Sequence, residues 1–158
     1  MLFWEYAALF GGTFLAATIV PFSSEILFTT AILSHLSPVT TVIVAAMGNF
    51  LGGITGYYLG YLGRWEWLEK YFRVSHENIV RMQPTLKKYG MSLAFFSWLP
   101  VVGDPFCIAM GFVRTPWAMT FVLMLLGKTL RYVVLAYLLL QYGVNWWEVI
   151  KSWFEIGL

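Results

Sequence analysis

The sequence predicts an all-α integral membrane protein: an inverted repeat of two re-entrant, broken helices plus membrane-spanning helices, with an amphipathic cytoplasmic segment between the halves. Three observations carry that reading. Hydrophobic residues make up 59% of the 158-residue chain and charged residues 11%, with a mean hydropathy of +0.71; a soluble domain carries roughly 25% charged residues. Two apolar stretches are interrupted by a proline and then an acid, at Pro21 and Glu25 and again at Pro100 and Asp104. The two stretches fall in register when the chain is laid on itself at an offset of 79 residues.

Length and composition bound the rest. The chain has room for about four to six membrane segments of ~20 residues and none for a large soluble domain, so 1–158 reads as a single membrane domain. Cys107 is the only cysteine, which excludes an intrachain disulfide and a cysteine-based metal site. His35 and His76 lie far apart with no metal-ligand pattern. No cofactor, no metal and no nucleic-acid partner is predicted. The opening MLFWEYAALFGGTFLAATIV lacks a basic stretch before its apolar run, so a cleavable signal peptide is not expected.

In chain order, the first half covers 1–63. Its apolar segment 6–34 carries Pro21, Ser23, Ser24 and Glu25 near the centre, which predicts two short limbs around a break rather than one helix. Ser37 and Pro38 then open a cleaner span over 39–62, the serine as N-cap and the proline in the first turn. Gly48, Gly52, Gly56 and Gly60 fall on one face of that span. Small residues at this spacing let another helix approach closely in lipid; lining a substrate path is the alternative role. Segment 64–88 is the polar part, with Arg64, Lys70, Arg73, Arg81, Lys87 and Lys88 against Glu66, Glu69 and Glu77. Its apolar residues recur at helical spacing, which predicts a basic amphipathic segment at the membrane surface. The excess of Lys and Arg puts it in the cytoplasm.

The second half covers 89–141. Its broken segment, 90–114, contains Phe95–Arg114, FFSWLPVVGDPFCIAMGFVR. Pro100 and Pro105 remove donors and crowd the preceding turn; Gly103 and Asp104 lie between them. Thr115 and Pro116 open the span 117–141. The tail 145–158, with Trp146, Trp147 and Trp153, suits the aromatic belt of an interface.

The repeat pairs Gly11 with Gly90, Pro21 with Pro100, Glu25 with Asp104, Thr41 with Thr120, Gly48 with Gly127, and Tyr58 with Tyr137. Gly/Pro-interrupted segments at corresponding places in two halves are what secondary transporters show at their sites. If 64–88 is cytoplasmic, span 39–62 runs inward and span 117–141 outward. The broken segments then enter from opposite faces, and both termini lie outside.

Four ionisable residues stand in apolar surroundings: Glu25, Asp104, Lys128 and Arg131. Alone, an Asp, Lys or Arg near the centre of a membrane helix costs at least ~2.5 kcal/mol, so they must pair or face water. One reading is structural, buried salt bridges that hold the halves together. The other is a site. Desolvation favours the neutral form of a carboxyl group, so Glu25 and Asp104 are candidate proton carriers. Lys128 and Arg131, three apart on one helix face, could hold a phosphate, the arginine as a fork. By the repeat, that face corresponds to Asn49 and Gly52 on the other span. Asn49, Ser24, Ser97 and Arg114 are secondary candidates, Arg114 also reading as an interfacial anchor.

The segments SE (Ser24–Glu25), MGNFLGG (Met47–Gly53), LGR (Leu62–Arg64), KYG (Lys88–Gly90), SWLPVVGD (Ser97–Asp104), GFVRTPW (Gly111–Trp117) and GKTLRYV (Gly127–Val133) together resemble the DedA family of membrane proteins, also called the VTT or SNARE-associated domain family, in its small bacterial YqaA-like branch. The resemblance implies two facing re-entrant helices and movement of lipids between leaflets: undecaprenyl phosphate or related phospholipids in bacteria, with proton coupling, and scrambling in eukaryotic relatives. It places Glu25 at the family's re-entrant acid. A second upstream acid would fall near Thr13, and the family's arginines three residues either side of the re-entrant proline would fall at Ser97 and Gly103. Those departures leave Lys128 and Arg131 to supply the positive charge.

The function expected is translocation of an anionic lipid, a polyprenyl phosphate or a phospholipid, between leaflets of the bacterial cytoplasmic (inner) membrane. The alternative is a non-transporting scaffold or homeostasis factor, and exchanging the charges of Asp104 and Arg131 is the test the sequence suggests. An enzyme is not expected: Ser23, Ser24 and Ser97 lie near acids but have no histidine partner. The partners predicted are membrane lipids; glycine ridges and aromatic surfaces are compatible with a homodimer without requiring one.

Overall fold

The computed structural model describes residues 2–18, 24–34, 36–63, 94–99 and 103–143, with short pieces at 77, 80–81, 84 and 88–89. The predicted breaks at Pro21 and Pro100, most of the basic segment 64–88 and the tail 145–158 lie outside the described residues. The elements are α1 (Leu2–Thr18), α2 (Ser24–Leu33), α3 (Pro38–Leu62), a 3-10 turn (Phe96–Trp98), α4 (Gly103–Phe112) and α5 (Trp117–Tyr142). Among the described residues there is no strand. Helices α3 and α5, of 25 and 26 residues, are long and apolar enough to cross a membrane. Helix α1 begins at Leu2, earlier than the expected Tyr6, because Leu2–Glu5 continues the apolar helical run with an acid in its first turn.

The element boundaries carry the repeat more cleanly than the letters do. Helices α2 and α4 end 79 positions apart, at Leu33 and Phe112, and α5 begins 79 positions after α3. The starts of the two spans are built alike. The Thr41 hydroxyl donates to the Ser37 carbonyl at 2.8 Å, and the Thr120 hydroxyl donates to the Pro116 carbonyl at 2.8 Å. Both threonines are buried. Ser37 is the N-cap residue of α3 with Pro38 in the first turn, as expected, although its side chain makes no cap bond; in α5 Pro116 is itself the N-cap residue. Each of these carbonyls also accepts the same threonine's backbone N–H, at 2.9 Å for Ser37 and 3.1 Å for Pro116, so the hydroxyl adds a second bond to a carbonyl already in the helix.

Helices α3 and α5 run antiparallel. Tyr57 stacks edge-on against Phe121 with ring centroids 5.1 Å apart, and Asn49 meets Lys128 further along. The apolar core lies in two clusters, one at each end of this pair. Leu9, Phe28, Ile32, Ala45, Ala46, Tyr132, Leu135 and Leu139 form the first. Tyr57, Cys107, Ile108, Met110 and Met124 form the second.

The glycine face of α3 serves two neighbours. A side chain at Gly48 or Gly52 would strike the backbone of α1 at Phe10 or Phe14, whereas one at Gly60 would strike the Ile108 carbonyl of α4; Gly56 also faces Ile108. Gly127 of α5, the counterpart of Gly48, receives the Phe95 carbonyl in the same way. Gly48, Gly52 and Gly60 thus serve close helix packing, while Gly56 sits at ordinary van der Waals distance from its neighbours.

Candidate functional site

The two acids occupy matching places. Glu25 is the second residue of α2 and Asp104 the second residue of α4. Each acid lies in the first described turn of its helix. Pro105 falls in the same first turn, where its missing N–H removes no helical bond. Gly103 lets α4 start against the 3-10 turn: a Cβ there would run into the Ser97 carbonyl.

Both bases come from the middle of α5. Lys128 Nζ donates to Asp104 Oδ1 at 3.0 Å and also to Asn49 Oδ1. Arg131 Nη2 donates to Glu25 Oε1 at 2.6 Å. The side chain of Lys128 is 2% exposed and that of Arg131 13%, against 36% for Asp104 and 30% for Glu25. The bases thus form the floor of the cluster and the acids its open side. A buried ammonium needs partners on more than one side to offset its lost hydration, and Asn49 supplies the second. The four charges sum to zero when all are ionised. They lie between the two apolar clusters, where α3 and α5 cross.

The pairing differs from the one the sequence suggested. Asp104 meets Lys128 and Arg131 meets Glu25, so Asp104 and Arg131 are not partners. Spacing of three along α5 points both bases to one side but does not decide which acid each meets. Asn49, a secondary candidate, belongs to the centre. Ser24 is buried beside Glu25 at the start of α2. Ser97 is buried, and its hydroxyl has no hydrogen-bond partner among the described residues. Arg114 stands apart: its guanidinium lies 5.0 Å over the Tyr61 ring and its φ is +57°. Pro21 and Pro100 lie outside the described residues. Sequence reasoning missed Tyr132, which is fully buried one helical turn beyond Lys128. Its signal was its position: Lys128, Arg131 and Tyr132 are at i, i+3 and i+4 on one face.

A family model for the VTT domain matches residues 20–141. The chain belongs to the VTT domain (DedA) family. The match spans both halves of this VTT domain protein and includes Glu25, Asn49, Asp104, Lys128 and Arg131. It is 37% identical over 144 residues to a protein of Escherichia coli called inner membrane protein YqaA, covering 89% of this chain and 94% of that one. The Shigella flexneri protein of the same name matches equally. An uncharacterised Haemophilus influenzae protein is 31% identical over 147 residues, 86% of this chain and 90% of its own. No solved structure gives a significant match.

Proposed function

We propose that this VTT domain protein translocates an anionic lipid, a polyprenyl phosphate or a phospholipid, between membrane leaflets, with protons as the coupled ion. One observation carries the reading: two acids from the two short helices each close on a base of α5 in a single neutral cluster. Such a cluster can exchange partners without leaving a buried charge alone. Protonating Asp104 releases Lys128, and protonating Glu25 releases Arg131. The freed pair presents a point charge beside a planar fork, which suits a phosphate. With both acids neutral the cluster carries two positive charges, close to the −1.5 to −2 of a phosphate monoester near neutral pH. A monoester headgroup and two protons, or a phosphodiester headgroup and one proton, then cross together with little net charge, and the lipid tail stays in the bilayer. The antiparallel spans and the sequence register of 79 residues support an inverted repeat of two re-entrant segments as the moving frame. The relatives' names support the inner membrane as its place; several passes and a cytoplasmic 64–88 segment are part of the same proposal, from the excess of Lys and Arg in that segment.

Reconstitution tests it. Purified protein in vesicles should move a fluorescent phospholipid or a polyprenyl phosphate, faster under an imposed pH gradient. Movement of neither lipid at any gradient would end the proposal. A second reading, a non-transporting scaffold, is favoured by the Glu25–Arg131 pair, which ties together residues 106 apart in the chain. Exchanging Asp104→Lys with Lys128→Asp separates the two. A scaffold regains fold and cellular phenotype together, whereas a carrier regains only the fold.

A further inference from the structure

Tyr132 is 0% exposed, and its hydroxyl has no hydrogen-bond partner among the described residues. The ring is held by Phe28, with centroids 4.8 Å apart and planes tilted by 50°, and the Arg131 guanidinium lies 6.0 Å from the ring centre. Arg131, Lys128 and Asp104 all act on the phenol electrostatically, and Ser24 lies alongside, short of a well-formed hydrogen bond. A buried polar atom without a partner costs about 1–3 kcal/mol and native structures hold few of them. This one is rigidly placed among both ion pairs.

We propose that the Tyr132 hydroxyl is a ligand-binding group of the charge cluster, donating a hydrogen bond to an oxygen of a bound phosphate monoester. The inference rests on the reading above, that an anionic headgroup enters the cluster, and names a residue that holds it. The phenol is neutral, so it adds a donor without adding charge. Its hydrogen bond is unmade until the phosphate arrives, so its contribution appears on binding.

The test is Tyr132→Phe, which removes the hydroxyl and leaves the ring. Wild type and variant are purified in detergent and unfolded thermally without ligand, with decyl phosphate, and with inorganic phosphate. The variant should unfold about 2–4 °C higher without ligand, since an unpaired polar atom has gone. Its apparent affinity for decyl phosphate should fall by about tenfold or more, the worth of a hydrogen bond to a charged group. An equal loss with inorganic phosphate assigns the hydroxyl to a free phosphate as well; a loss confined to decyl phosphate assigns it to a lipid headgroup. A variant that unfolds lower without ligand has lost an existing bond and overturns the inference. So does unchanged affinity beside a normal wild-type response. No wild-type response to either phosphate ends the headgroup reading itself, and this inference with it.

Discussion

Lys128 donates to oxygens on two other helices, Asp104 of α4 and Asn49 of α3, so one side chain holds three elements. Removing one partner of a buried ion pair costs about 3–5 kcal/mol, because the other charge is left alone. Asp104 is partly open, with its side chain 36% exposed, so Lys128→Met should cost about 3 kcal/mol, the low end of that range. Thermal unfolding in detergent would read this. Adding Asp104→Leu to it should recover stability, since an apolar pair can replace an ionic one, while lipid movement stays abolished. Asn49→Ala should cost about 1–3 kcal/mol by leaving the ammonium short of an acceptor. The four charges were legible in the sequence because ionisable residues stand out in apolar segments. Their pairing was not. It depends on the rotation of α5 against α2 and α4, which no spacing along one chain encodes. Tyr132 was illegible for a related reason, since a tyrosine in an apolar span is ordinary until its hydroxyl is seen to lack a partner.

At the scale of elements, α3 and α4 meet through reciprocal glycines. A Cβ on Gly60 would strike the Ile108 carbonyl, and one on Gly111 would strike the Tyr57 carbonyl. Backbone cannot step aside as a side chain can, so Gly60→Ala and Gly111→Ala should each destabilise the fold by about 1–3 kcal/mol, as overpacking does. Gly11→Ala is the control. Nothing lies within 4 Å of its Cβ, and alanine should stabilise α1 by up to about 1 kcal/mol. Parallel unfolding measurements on the three variants would check the contrast. The ridge from Gly48 to Gly60 was plain in the sequence, and so was its use in packing. That one ridge serves α1 at one end and α4 at the other could not be read, because a small residue says only that something comes close.

The whole molecule has a testable polarity. Tyr57 donates to the Thr115 carbonyl at 2.6 Å, so the end of α3 and the start of α5 share one side. The start of α3 and the end of α5 share the other. Single cysteines in a Cys107→Ala background can report this, since Cys107 is the chain's only cysteine and is buried. Cysteines at Ser37 and Gln141, both exposed, should react with an impermeant maleimide from outside intact cells. Cysteines at Leu62 and Trp117, also exposed, should react only after the membrane is opened. Reaction of all four from one side would rule out the predicted topology. The proposed duplicated plan rests on proline, glycine and acid recurring in register. The unequal sharing of charge between the copies was legible. Asn49 and Gly52 stand in one half where Lys128 and Arg131 stand in the other.

The bond between Lys128 and Asn49 joins two residues 79 apart, so a position in one copy touches the same position in the other. Had the copies been separate identical chains meeting about a two-fold axis, each would have faced itself there. Two asparagines can pair in that place. Two lysines, buried and in contact, would repel. Joining the copies in one polypeptide frees the axis from that rule, and a single positive charge can stand where a symmetric dimer must place two or none.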